Sequence, residues 1–588
     1  MIDPYRMVIV NLIASALLLG GALFYRYIFP KKNINLFILL IFVSLLPIIS
    51  LLRRGTYESG DFNIHIYRSM AFYDSLMEGN IMPSWAGELN ATYGYPLFIF
   101  NYTLPYYFIS LFHFLGFSFI GSMKIFLALN IILSGISMFM FTKKLFKSDL
   151  PPFISSVFFV FAPYHLIDIH FKVVIGEILF FTILPFSFLF IYNLQSRRIL
   201  LFILLAALSF SALIMSHLVI AVFAGMLLLS YAFFVALKNN FRILPLYVIA
   251  LSISLLISLY AWLGPFLLSK YSFIQNITLG TVYFPTFQDI LYSPWKLGLL
   301  FQGPQGEISH LLGYGHLFII ILLLTLLFRK KVPKKIYSEV LFWLVATFII
   351  IFLILPYSRL LWESFPIIKV TGSHRLLILA SFTTSVLAGY FVLMFKKSWF
   401  IYLIVTISIG STVLNWGHRR IIPQIDDNIL QKNLPKSTSE GEAHFYANTK
   451  WVDIKNPWFS KLPRKHLEIL KGKAIVKELR RTSINHVYII NAQAPVTIRE
   501  NTLYFPGWKL YVNNKNYPFD YFTDKFPGII TFQLPKGLYK VDLTFENTPI
   551  RTISLWISLL TFIISITICI IIFTIKFLRK TKKSYITF

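Results

Sequence analysis

Residues 199–216 read ILLFILLAALSFSALIMS and, past His217 and Leu218, residues 219–237 read VIAVFAGMLLLSYAFFVAL. Arg197 and Arg198 precede the pair, and Lys238 and Arg242 follow it. A helix rises about 1.5 Å per residue and the hydrocarbon core of a bilayer is about 30 Å thick, so a span needs about 20 apolar residues. Each run meets or approaches that length. Lys and Arg collect in cytoplasmic loops, so the pair predicts a helical hairpin with its basic ends inside and His217 at the outer turn.

Comparable runs lie near 8–28, 35–52, 123–142, 152–168, 177–194, 243–262, 312–328, 338–356, 374–394, 399–416 and 551–575. The expected fold is therefore a polytopic α-helical membrane protein of about thirteen transmembrane helices. Basic residues follow the first run rather than precede it, which is the reverse of a cleaved signal. Lys31 and Lys32, Lys143, Lys144 and Lys147, Arg329 to Lys335, Lys396 and Lys397, and Arg579 to Lys583 join the clusters already named. All fall on one side provided that 104–119 re-enters or lies along the outer leaflet instead of crossing. Pro105, His113 and Gly116 interrupt that stretch. Arg53 and Arg54 are the exception, on the outside.

Composition agrees with this reading. The 588 residues are 57% hydrophobic and only 13% charged, with mean hydropathy +0.69. A soluble domain carries about 25% charged residues, so a soluble enzyme and a disordered chain are excluded. The net charge of +29 is topology rather than nucleic-acid recognition, since no domain-sized basic stretch is free of apolar runs. The single cysteine, Cys569, leaves no intramolecular disulfide and no Cys-based zinc site.

The outer side then receives 53–122, 168–177, 263–311, 357–373 and 417–550. Three regions are expected: a membrane module over 1–416, an outer β-rich domain over 417–550, and a last helix with a basic cytoplasmic tail over 551–588. From about 474 the outer domain alternates like short strands. These are 475–479, 487–491, 496–499, 503–505, 509–512, 529–533 and 539–545, separated by Pro, Gly and Asn turns.

The first outer loop holds the segment ESGDFNIHIYR, residues 58–68. A helix starting at Asp61 puts His65 and Arg68 on its face. Asp61 then has two readings: a helix N-cap, or a general base at the membrane surface with His65 tuning it or binding phosphate. Beyond it, Trp85, Tyr95 and Tyr102 are interleaved with Asn, Gly and Pro; they serve either as interfacial anchors or as sugar-stacking platforms. A second constellation, His165, Asp168, His170, Lys172 and Glu177, crosses the tight outer turn. Charges so near hydrocarbon seldom lack partners. His217 stands at a span end. Arg359, His374 and Arg375 lie at the outer face, and Arg375 opens a span whose N-terminal N–H groups suit a phosphate.

The outer-loop Asp just after a span, the helix with its His, then P-x-W (83–85), GYPLFIF (94–100), LPYY (104–107), YFPGWK (504–509) and LPKGLY (534–539) resemble the YfhO-like bacterial membrane proteins. These are also known as 6-pyruvoyl-tetrahydropterin-synthase-related membrane proteins, of the GT-C superfamily of polyprenyl-phosphate-sugar glycosyltransferases. The resemblance implies that Asp61 is the catalytic base of an inverting transfer. The sugar would pass from a polyprenyl-phosphate-linked donor to an extracytoplasmic glycan, teichoic acid or protein acceptor. It implies active-site roles for Glu177, His170 and Lys172 and a donor-phosphate role for Arg375. Many GT-C enzymes carry a second acidic residue beside the first Asp, where this chain has Phe62, so a divalent cation (Mg or Mn) is left open as a cofactor. The expected partners are the lipid-linked donor, the acceptor and membrane lipid, with no nucleic acid. There is no Walker, Rossmann or zincin motif. A lipid-linked saccharide flippase would line a bilayer path with polar residues or broken helices, whereas here the polar groups gather at one face. A glycan polymerase or ligase would need outer Arg and His residues but not Asp61.

Overall fold

The computed structural model describes residues 4–273, 283–364, 372–395, 398–418, 420–434, 447–452, 462–523 and 526–586. The Lys396 and Lys397 cluster, parts of the outer segments 263–311, 357–373 and 417–550, and the side chains of the C-terminal basic cluster lie outside the described residues.

In chain order the N-terminal half contains α1 (Pro4–Ile28), α2 (Leu36–Leu45), β1 (Thr56–Tyr57), α3 (Phe62–Met77), α4 (Leu97–Phe100), α5 (Leu104–Phe114), α6 (Phe119–Leu145), α7 (Leu150–Val160), α8 (Pro163–Ile167) and α9 (Ile175–Tyr192). Next come α10 (Ile199–Ser216), α11 (Leu218–Lys238), α12 (Ile243–Ile257), α13 (Leu259–Leu268), α14 (Phe287–Leu291), α15 (Tyr314–Phe328), α16 (Lys334–Ile354), α17 (Arg359–Glu363), α18 (Leu377–Met394) and α19 (Ser398–Gly410). β2 (Ile421–Ile422) and α20 (Asp427–Asn433) lead to a run of strands, β3 (Leu467–Lys471) to β11 (Gly537–Phe545), and then α21 (Pro549–Ile586).

Among the described residues eight helices are long and apolar enough to cross a membrane, or up to ten if each of two bent pairs is one span. Three shorter apolar helices cover 36–52, 314–328 and 399–415, so all thirteen apolar stretches fold as helix but not all at spanning length. The first of the two bends has a local cause. α7 and α8 meet at 45° where Ala162 adopts φ −58°, ψ 133°, the extended geometry that a following proline imposes on its neighbour. α12 and α13 meet at 66°. α5 spans 11 residues, about 16 Å of rise, which is too short to cross and agrees with a re-entrant or interfacial 104–119.

α18 is almost wholly buried and forms the middle of the bundle, packed on α7 and α16. Its Ala, Ser, Thr and Gly positions permit close helix approach, as small residues do within membranes. α1 and α21 lie at the periphery and expose most of their apolar surface.

The strands form two antiparallel sheets, β3-β6-β10-β9 and β4-β5-β11-β7-β8, where β4 is Ala474–Arg481, β5 Asn485–Ala492, β6 Val496–Leu503, β7 Trp508–Val512, β8 Lys515–Tyr517, β9 Asp520–Thr523 and β10 Phe526–Leu534. The sandwich matches the alternation read from the sequence, with two differences. The strand expected at 503–505 is the end of β6, after which Tyr504 N–H donates to the Gly528 carbonyl at 2.7 Å. β3, β8 and β9 are additions; they are short, and β8 (Lys-Asn-Tyr) carries no apolar alternation.

Residues 421–434 pack on the first outer loop, ahead of the sandwich. β2 pairs with β1, and Asp427 accepts from the backbone N–H groups of Phe119 and Ile120 at the start of α6. The sandwich itself is clamped to the same loop. Trp85 packs against Trp508 at 5.3 Å and Phe545 at 5.2 Å. The Leu503 N–H donates to the Tyr93 carbonyl at 3.0 Å, and Ser483 N–H donates to Glu78 at 2.9 Å. Gly94, at φ +65°, lies against this indole; a Cβ there would come within 2.3 Å of Trp85 Nε1. Trp85→Ala is expected to cost about 3–5 kcal/mol and to loosen the sandwich, read as a lower melting temperature and faster proteolysis within 467–545.

Candidate active site

The residues between α8 and α9 organise the site. Asp168–Lys172 form a π-helical turn that ends at Val173 in the left-handed region, φ 60°, ψ 55°. A β-branched residue pays for that conformation in strain, and π turns are frequent at functional sites. The turn is held from outside by the first outer loop: Gly60 N–H donates to the Phe171 carbonyl at 2.7 Å and Asp61 N–H to the Lys172 carbonyl at 2.8 Å.

These bonds place Asp61 beside Lys172. The N-cap alternative is not what the geometry shows, because the Asp61 carboxylate accepts no capping bond from α3. Ser59 Oγ accepts from Phe62 N–H at 3.2 Å instead. Asp61 is close enough to Tyr102, Asp168 and Lys172 to bear on the ionisation of each.

Lys172 and Arg375 are the cations of the site. Lys172 pairs with Asp168 at 3.2 Å and with Glu177 at 3.3 Å, and its ammonium also donates to the Tyr164 hydroxyl at 2.7 Å. Glu177 is fully buried and accepts from Tyr164 at 2.7 Å while pairing with Arg375. Its carboxylate is thus engaged by three partners. Asp168 is likewise fully buried. Three carboxylates and two cations therefore converge where the first outer loop, the π turn, the start of α9 and the 3₁₀ turn before α18 meet. α9 reaches this place because Gly176 has no side chain: a Cβ would come within 2.3 Å of the Ser216 carbonyl and 2.8 Å of the Tyr102 ring.

His65 stands one layer behind. Its Nδ1 is 2.9 Å from the Tyr106 hydroxyl and its Nε2 3.3 Å from the Tyr102 hydroxyl. Burial, then the Arg68 charge, push its pKa well below the usual imidazole value, so the ring is neutral and meets the Tyr102 hydroxyl as a neutral partner. Burial also keeps Tyr102 protonated, its pKa raised well above the usual phenol value. His217 lies with its ring 6.2 Å from Tyr102. His374 and His310 stack edge-to-face at 4.8 Å, and Lys172 bears on all three of these histidines.

Other expected site residues are placed elsewhere. His170 Nε2 lies 2.7 Å from the Pro47 carbonyl and its ring is 6.2 Å from that of His418, so its contacts are with these residues and not with Lys172, Glu177 or Arg375. Trp85 belongs to the clamp on the sandwich, and Tyr95 is fully buried with its carbonyl accepting from Ala86; neither is an open sugar platform. Arg359 sits on exposed α17 paired with Glu363 at 3.2 Å, outside the network. Tyr164 and His310 are additions. Tyr164, Asp168 and Lys172 recur every four residues along one helical face, a pattern that reveals the tyrosine. His310 comes from the outer segment 263–311, whose sequence suits a substrate-gating loop but does not pair it with His374.

Among the described residues no group of three or more His, Cys, Asp or Glu side chains is arranged to hold a metal ion. The donor chemistry agrees, since the buried carboxylates Asp168 and Glu177 are already countered by Lys172 and Arg375. Between these two carboxylates the ammonium and guanidinium groups take the positions facing the oxygens.

A family model described as a 6-pyruvoyl-tetrahydropterin synthase related domain, membrane protein, matches residues 100–420. The chain belongs to this family. The matched region contains the π turn, Glu177 and Arg375, while Asp61, His65 and the sandwich lie outside it. An uncharacterised protein of Lactococcus lactis subsp. cremoris (strain MG1363) is 25% identical over 259 residues, covering 42% of each chain; the family member described here thus matches less than half the length of that relative. Among solved structures, the mycobacterial arabinofuranosyltransferase AftD aligns with TM-score 0.41 at 14% identity, over 66% of this chain and 27% of its own. The Archaeoglobus fulgidus oligosaccharyltransferase aligns with TM-score 0.39 at 12% identity, over 66% of this chain and 55% of its own.

Two outcomes follow for this family member. Removing the charge of the buried Glu177 leaves Arg375 and Lys172, both partly buried, short of a partner, so Glu177→Gln is expected to cost up to about 3 kcal/mol, measured as thermal or denaturant unfolding in detergent. His310 is held at about 4, below the usual imidazole value, by burial and then by Lys172. The unfolded chain therefore binds more protons than the folded one between about pH 6.5 and 4. Stability is expected to fall as pH drops through that window and to be fully present above it. His310→Gln should flatten part of the fall in melting temperature against pH.

Proposed function

We propose that the chain is a membrane glycosyltransferase. In this reading it transfers a sugar from a polyprenyl-phosphate donor to an extracytoplasmic acceptor hydroxyl, with inversion and with Asp61 as general base. The observation that carries the reading is the pair of backbone hydrogen bonds that seat Asp61 on the carbonyl of Lys172. They bring a carboxylate with no capping duty next to two cations, which is the charge pattern this reaction requires.

Asp61 takes the proton of the acceptor hydroxyl as its oxygen forms the new bond to the anomeric carbon. The bond from that carbon to the phosphate oxygen breaks, and its electron pair leaves on the lipid phosphate. Lys172 and Arg375 lie where they would meet that developing charge. Glu177 tempers both cations, and Tyr164 fixes Lys172 and Glu177 with one hydroxyl. The neutral His65 holds the Tyr102 hydroxyl beside Asp61. The basic loops and C-terminus are assigned to the cytoplasm, and the site and sandwich to the opposite side.

A positioned base contributes roughly 10²–10⁴-fold in rate. Asp61→Asn is expected to lose at least that factor in glycan transfer by membranes supplied with a lipid-phosphate sugar, with melting temperature unchanged. Transfer at the wild-type rate would remove Asp61 from this role.

A further inference from the structure

A second charged feature lies away from the site, at the foot of the last helix. A small cavity open to solvent lies between α13, α21 and the first outer loop, lined by Met82, Tyr260, Gly264, Asn547, Arg551 and Ser554. No acidic side chain lines it. Arg551 lies in the first turn of α21, at the boundary of a candidate span that begins at Pro549. Among the described residues no carboxylate pairs with its guanidinium and no acceptor is hydrogen-bonded to it. Asn547, exposed beside it, is likewise without a protein hydrogen bond among the described residues.

A half-buried arginine at a bilayer boundary calls for an anion, and the anions concentrated there are lipid phosphates. The guanidinium fork matches phosphate oxygens in pairs. Apolar surface for an attached chain lies on the same two helices. Ile550, Ile553, Trp556 and Phe266 are exposed on the adjoining turns of α21 and α13. Gly264 leaves the arginine stem uncrowded, since a Cβ there would approach only Arg551 Cγ, at 3.9 Å. Tyr260, which also lines the cavity, has its hydroxyl 3.3 Å from Oγ1 of Thr103, the residue after Tyr102.

We propose that this cavity binds the phosphate head of a membrane lipid, with Arg551 holding the phosphate and the exposed apolar turns of α13 and α21 carrying its chain. The assignment does not depend on the transferase reading. The test is native mass spectrometry of the full chain in detergent, titrated separately with phosphatidylglycerol, a polyprenyl phosphate and phosphate-free diacylglycerol. At least one phosphate lipid is expected to bind more tightly than diacylglycerol. Arg551→Gln should weaken that binding about tenfold or more, the loss of one charge-assisted contact, and Arg551→Lys should restore part of it. Gly264→Leu, which fills the cavity from the opposite wall, should weaken it without touching the charge and serves if Arg551→Gln does not fold. Preference for phosphatidylglycerol identifies a bulk lipid as the occupant; preference for the polyprenyl phosphate identifies a lipid carrier. Affinity unchanged in either folded variant, or no preference over diacylglycerol, overturns the proposal.

Discussion

Two backbone hydrogen bonds, from Gly60 to Phe171 and from Asp61 to Lys172, join the first outer loop to the turn between α8 and α9. Each loop alone is a polar excursion from an apolar bundle. Joined, they bury one another's backbone groups and place a carboxylate against a cation. The π turn and the left-handed Val173 are strained geometries, and the incoming loop satisfies the carbonyls that this strain turns outward. A substitution that dislodged either strand of this contact would separate the groups on which the proposed chemistry depends.

The buried charges obey the same constraint. Asp168 and Glu177 are fully buried, which is tolerable only with partners, since an unpaired ion in such a place costs several kcal/mol. Lys172 serves both carboxylates, Arg375 serves Glu177, and Tyr164 ties Lys172 to Glu177. A network balanced in this way leaves the histidines neutral. His310 and His65 are both held below their usual range by burial and a neighbouring cation, so they act through hydrogen bonds and ring contacts and not as charges.

Much of this was legible in the sequence because length and hydropathy are local properties. The thirteen apolar runs, the interruption at 104–119 and the alternating strands each follow from the residues of one segment. The bends at Ala162 and Ser258 shorten spans in ways that a run of apolar letters does not display. Among the site residues, Asp61, Lys172, Glu177 and Arg375 were visible as ionisable groups beside apolar runs, where charge must have a partner. Trp85 misled for a physical reason: an aromatic ring among Asn, Gly and Pro suits a sugar platform and a packed domain contact equally, and only the position of Trp508 and Phe545, more than 400 residues downstream, decides between them. His170 misled because a π turn rotates its residues away from α-helical spacing, so the ring meets Pro47 and His418.

The clamp between loop and sandwich gives the outer domain a structural role close to the site, since the loop that carries Trp85 also carries Asp61. In the proposed reaction Lys172 and Arg375 receive the lipid phosphate while Asp61 faces the sugar. An electron cryomicroscopy map of the full chain with a non-cleavable polyprenyl-phosphonate sugar tests it most directly. The phosphonate is expected within hydrogen-bond reach of Lys172 and Arg375 and the anomeric carbon on the Asp61 side. A head group bound away from these three residues would contradict it.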